Sequence, residues 1–172
     1  MRFQGRGFCG HDPRWSFAPL SGDGAAKRGG RFNRAGEPTL YLALEIVTAV
    51  NECMQGLGQR LQPLLICEYD VDCEPIADLG TDSSRATLGI DLADLACGWL
   101  THMRAGREPP SWRVVDALKR QGFAGMIAPS FAPGAGSDAL NLILWRWGPD
   151  LPTQVTVHDP SGRLPSNQRS WR

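Results

Sequence analysis

Pro38-Thr-Leu-Tyr-Leu-Ala-Leu44 runs directly into Glu45-Ile-Val-Thr-Ala-Val-Asn-Glu-Cys-Met54, and the hydrophobic period changes at the join. The first stretch is a short apolar run with Tyr41 at its centre, the pattern of a strand. In the second, Ile46, Val47, Val50, Cys53, Met54 and Leu57 recur at three and four, which predicts an amphipathic helix closed by Gly56 and Gly58. Glu45, Thr48 and Glu52 fall on its other face. Downstream, residues 64–71 read as a second strand, residues 81–86 as a polar loop, and Asp91 opens a helix through Leu100. Pro109-Pro110 precedes a helix along Trp112 to Gln121, with Ser111 as its N-cap and Gly122 as a left-handed stop. Residues 124–129 form a short buried strand ending at Ser130, residues 131–138 a Gly and Pro loop, and residues 140–147 the strongest strand signal. Val155 to Val157 reads as an edge strand, and the first 37 residues as ordered loop without apolar period. Strands and helices alternate without regular βαβ spacing, so the fold class is α+β. A chain of 172 residues is sized for one domain, placed at 1–160, with 161–172 as a frayed tail.

Lys plus Arg and Asp plus Glu number 18 each, giving zero net charge. A chain held mainly by nucleic-acid phosphates or anionic lipid carries a basic excess, so direct nucleic-acid or membrane binding is not expected. The zero is a sum of unlike parts. Residues 1–36 hold seven basic and two acidic groups (+5), 37–100 two and eleven (−9), and 101–172 nine and five (+4). Five cysteines without CxxC spacing, and no apolar run of membrane-spanning or signal-peptide length, read as reduced thiols in a cytoplasmic protein. His11, His102 and His158 lie far apart outside any ligand pattern, so no metal site is expected.

Lys27-Arg-Gly-Gly-Arg-Phe-Asn-Arg34 is the densest candidate site. Backbone amides beside two glycines, together with several cations, can converge on an anion, and a flexible basic loop is the alternative. Glu52, Tyr41 and Ser130, each taken alone, read as a solvated carboxylate, a core aromatic and a turn residue.

Together the pieces resemble a family. Gly29-Gly30-Arg31-Phe32-Asn33, then Leu40-Tyr41-Leu42-Ala43, then Glu52, then Ser130 ahead of the strand containing Asn141, is similar to the RES domain, named for its Arg, Glu and Ser, here Arg31, Glu52 and Ser130. The resemblance runs from about Trp15 to Asp159-Pro160. It implies a split mixed sheet flanked by helices, like the diphtheria-toxin type of ADP-ribosyltransferase, with NAD as substrate in the cleft. It further implies the toxin of a bacterial toxin–antitoxin pair that cleaves the nicotinamide–ribose bond. ADP-ribose then passes to a protein, or to water or phosphate in an NAD glycohydrolase or phosphorylase. The implied partner is an Xre-like helix-turn-helix antitoxin that covers the active site. An Arg stands where the diphtheria class has His, so that class's grip on the ribose does not carry over unchanged. On this reading Glu52 stabilises the developing ribose cation, and Arg31 pairs with pyrophosphate and ribose hydroxyls. Tyr41 stacks on the nicotinamide ring, Ser130 and Asn141 bind NAD, and Gly29 and Gly30 let the backbone approach. A noncatalytic module that binds a phosphate-bearing ligand is the rival of a different class.

Overall fold

A computed structural model describes residues 1–54 and 63–171. Its strands are β1 (Phe3–His11), β2 (Leu40–Ala43), β3 (Leu65–Cys73), β4 (Ile76–Asp78), β5 (Gly125–Pro129), β6 (Leu140–Leu144) and β7 (Thr153–Val157). Its helices are α1 (Asp23–Arg28), α2 (Ile46–Met54), α3 (Asp82–Leu88), α4 (Leu92–Leu95), α5 (Trp99–Arg104) and α6 (Pro110–Arg120). The strands lie in the order β4-β5-β6-β2-β1-β3-β7; β4 and β5 run parallel and every other neighbouring pair antiparallel.

The seven strands form one mixed sheet flanked by helices, in keeping with the α+β class, and the sheet is thinnest between β1 and β2. β1 and β3 pair along their whole length, from Phe3↔Cys73 to His11↔Leu65, whereas β1 meets β2 at the single register point Phe8↔Ala43. Beyond that point the end of β1 and the start of β2 part. Side chains alternate across the pleat. Leu40, Leu42, Leu142 and Leu144 therefore join Tyr69 and Val71 in the core on one side, while Ile143, Met126 and Ala128 join Phe32, Leu79 and Leu118 on the other. Asn141 and Tyr41 share the register of Ile143 and so face this second side.

Several sequence expectations give way to tertiary context. The supposed opening loop contains β1, whose glycines hide its strand pattern. Gly10 is one that packing explains, because a Cβ there would meet the Cys53 side chain of α2. The supposed loop 81–86 is helical: Thr81 accepts from the Ser84 N–H, and the Ser84 hydroxyl accepts from the Thr81 N–H, a reciprocal cap. The helix expected from Asp91 to Leu100 breaks at residues 96–98 into α4 and α5. The N-cap position of α6 is Pro109, not Ser111, which is fully buried and used elsewhere. The strand expected over 140–147 ends at Leu144.

The helix carrying Glu52 is turned over. Thr48 and Ala49 are buried, while Ile46 and Val47 stand 53% and 69% exposed. A face-counting argument puts the larger apolar surface inward; here small Ala49 and Thr48 let α2 approach Phe8 and Ala43, and Glu52 points inward with them. Leu57, Gly56 and Gly58, named as the end of this helix, lie outside the described residues. The stretch expected to fray is tied down at its start, where the Asp159 carboxylate accepts from the N–H groups of Arg163 and Leu164, and Leu164 packs on the core. No disulfide joins the five cysteines. Among the described residues no helix is long and apolar enough to cross a membrane.

Candidate active site

The register that puts Asn141 opposite both Ala43 and Ala128 also fixes its neighbours. Two residues beyond Ala128, Ser130 leaves the end of β5 on the same face, and α2 lies over that face. Glu52 thereby meets both. Its Oε1 accepts from the Ser130 hydroxyl at 2.6 Å and from Asn141 Nδ2 at 2.5 Å. Because Asn141 donates its amide nitrogen to a carboxylate, its Oδ1 is the remaining polar atom, and that buried oxygen has no partner among the described residues.

Arg31 approaches from the turn over residues 30–33. Its Nη1 donates to the carbonyls of Leu95 and Cys97, at 3.1 and 2.6 Å, the groups that the break between α4 and α5 frees from helical pairing. Its guanidinium lies 4.6 Å from the Phe131 ring centroid. Burial pulls the Arg31 pKa below its ordinary value, with the negative charge of Glu52 acting in the opposite sense. Nη1 is thus spent on the protein, while Nε and Nη2 have no acceptor among the described residues.

Tyr41 is first of all a clamp on this turn. Its hydroxyl donates to Asn33 Oδ1 at 2.8 Å and accepts from the Phe32 N–H at 3.1 Å. Burial raises its pKa, so the phenol stays neutral. Asn33 completes the lock by donating to the carbonyls of Ala25, Arg34 and Glu37. Gly30 is required by the same arrangement, since a Cβ would stand 2.8 Å from Asn33 Oδ1 and 2.9 Å from the Tyr41 hydroxyl oxygen. Tyr41→Phe keeps the ring but strands both partners of the hydroxyl. It is expected to cost about 1–3 kcal/mol, lowering the melting temperature by roughly 2–12 °C in a thermal melt.

The basic cluster singled out in the sequence does not act as one anion site. Arg34 faces away from Glu52: it pairs with Asp116 and Glu108 and lies over Trp112, and these partners raise its pKa. What holds the turn from behind comes from α6. Ser111 donates to the Arg31 carbonyl at 2.5 Å and Trp112 Nε1 to the Gly30 carbonyl at 2.9 Å. Both residues sit about eighty positions downstream, at a separation where no periodic pattern could signal them; the Pro-Pro helix start was the available cue. Phe131, within the Gly and Pro loop of residues 131–138, carries no such signal either.

Arg31, Tyr41, Glu52, Ser130, Asn141 and Gly30 therefore converge: a carboxylate fixed by two neutral donors, a half-buried guanidinium, an orphaned amide oxygen and a clamped aromatic ring. Such a group can hold a polar ligand and stabilise positive charge developing beside it.

The sequence matches the RES domain family over residues 7–167. Among curated proteins none matches it. The fold is similar to that of a chain in the crystal structure of the M. tuberculosis MbcT–MbcA toxin–antitoxin complex, with a TM-score of 0.63 and 18% identity, covering 92% of this chain and 84% of that one. Because the family match spans nearly the whole chain and contains every residue of the convergence just described, this protein belongs to the RES domain family.

Proposed function

We propose that the protein is the toxin of a toxin–antitoxin pair, cleaving the nicotinamide–ribose bond of NAD and passing ADP-ribose to a protein acceptor. The observation that carries this reading is the Glu52 carboxylate, immobilised by Ser130 and Asn141 a short way from Arg31. When the glycosidic bond breaks, nicotinamide leaves with the bonding electron pair and the ribose becomes oxocarbenium-like. A preoriented carboxylate lowers the energy of that cation without reorganising. The acceptor then adds at the anomeric carbon and gives up its proton.

The site suits such a substrate. The orphaned Asn141 Oδ1 calls for a donor, which a ribose hydroxyl supplies. Arg31 Nε and Nη2 can serve phosphate or ribose oxygens, and the Tyr41 ring can pack against the nicotinamide. The apolar Ile46 and Val47, exposed on the helix that carries Glu52, offer a surface to an Xre-like antitoxin that covers the site, in keeping with the toxin–antitoxin complex to which the fold is similar.

Purified protein incubated with NAD labelled in its adenylate and bacterial lysate is expected to release nicotinamide and label a discrete protein band. Nicotinamide release with free ADP-ribose or its phosphate ester, and no band, makes it an NAD glycohydrolase or phosphorylase instead. No loss of NAD overturns the catalytic reading.

A further inference from the structure

Where β1 and β2 part, a cavity of about 470 Å³ opens between the end of β1 and α1. That volume is in the range of small-molecule sites. Tyr41, part of the convergence around Glu52, also lines this cavity. Its outer wall is chemically distinct. Lys27 and Arg28, in the last turn of α1, line it together with Trp15, from the 3-10 turn after β1, and Phe17, just beyond that turn.

Of the cations in the cluster from Lys27 to Arg34, Arg34 is neutralised by carboxylates and Arg31 is docked on carbonyls. Lys27 and Arg28 are exposed, and no carboxylate lies within ion-pair distance of either among the described residues. Of the acids on the lining, Asp12 is already compensated by Arg14, and Asp23 sits at the opposite end of α1. The Lys27 ammonium instead rests 4.0 Å from the centroid of the Trp15 ring, which is 46% exposed, with the Phe17 ring 6.4 Å away. A large exposed indole held against an unpaired ammonium is ready for exchange. A phosphate draws the ammonium into a charge-assisted hydrogen bond, stronger than an exposed cation–π contact, and the vacated ring face can take a base.

We propose that this wall binds the adenosine diphosphate half of the dinucleotide, with Lys27 and Arg28 on the phosphates and the purine stacked on Trp15 and Phe17. The assignment rests on the NAD reading for the identity of the ligand. It divides the work of the cleft: Lys27 and Arg28 supply affinity, and the group around Glu52 supplies turnover.

Calorimetric titration of the full chain with ADP, adenosine and inorganic phosphate tests it, alongside steady-state NAD cleavage. ADP is expected to bind, and the double variant Lys27→Ala/Arg28→Ala to bind it at least tenfold more weakly. Its KM for NAD should rise by a similar factor, so that KM carries the fall in kcat/KM. Trp15→Ala should weaken ADP and adenosine alike. All of these side chains are exposed or partly exposed, and melting curves check that the variants stay folded. Failure of the wild type to bind ADP, or wild-type ADP affinity in the double variant, overturns the proposal. If ADP affinity falls in the variants but no NAD is cleaved, the subsite stands and the catalytic reading fails. If NAD is cleaved with unchanged KM in the double variant, the catalytic reading stands and the subsite fails.

Discussion

Glu52→Gln is expected to reduce NAD cleavage by about 10²–10³-fold or more, with the melting temperature little changed. The substitution is discriminating because of how Glu52 is held. Both the Ser130 hydroxyl and Asn141 Nδ2 donate to Oε1, and the glutamine amide oxygen can accept the same two bonds. Shape and two hydrogen bonds survive while the negative charge does not. Nicotinamide release, growth on induction, and circular dichroism of the purified variant together read the result. A folded variant that still cleaves NAD at the wild-type rate would show that the carboxylate is structural and that another group carries the cleavage.

Asn141→Asp is the complementary experiment, keeping shape and adding charge. The new carboxylate replaces an amide nitrogen that sits 2.5 Å from Glu52 Oε1 at a position only 8% exposed. Two carboxylates at that distance cannot both ionise near neutral pH, so the pair retains one proton shared between them. Cleavage at pH 7 is therefore expected to fall by at least tenfold and to recover partly as the pH is raised. The stability effect has a definite sign. The pair holds its proton more tightly in the folded state than in the unfolded chain, so the variant is most nearly native at low pH. It loses stability as pH rises above the ordinary carboxylate range. Melting curves and NAD cleavage across pH 5 to about 9 measure both arms. A flat profile matching the wild type would mean that the two side chains do not face each other as described.

Much of the architecture was legible because local periodicity reports local burial. The change of period between Leu44 and Glu45 marks the β2 to α2 junction, and the alternation through Leu140, Leu142 and Leu144 marks β6. Gly122, at a φ of 88°, ends α6 as its type suggests. β1 was hidden because its glycines are set by what lies across the sheet, notably Cys53 of α2 over Gly10, and not by the strand itself. The inward face of α2 could not be read from apolar count, because the packing that decides it comes from Phe8 and Ala43 in other strands.

By itself the sequence determined the α+β class, the position of most elements, and which residue types were available for chemistry: Arg31, Tyr41, Glu52, Ser130 and Asn141, in an order that resembles one family. Only the tertiary structure decided how they act together. It placed Glu52 inward on Ser130 and Asn141, set Tyr41 to clamp Asn33, and docked Arg31 on the carbonyls of Leu95 and Cys97. It also divided the basic cluster into an Arg34 neutralised by carboxylates and a Lys27 and Arg28 with no ion pair among the described residues. The physical reason is range. Periodicity is written over a few residues, whereas the bonds from Ser130 and Asn141 to Glu52, and from Arg31 to Leu95 and Cys97, join residues more than sixty positions apart, and only strand register and helix packing bring them within reach.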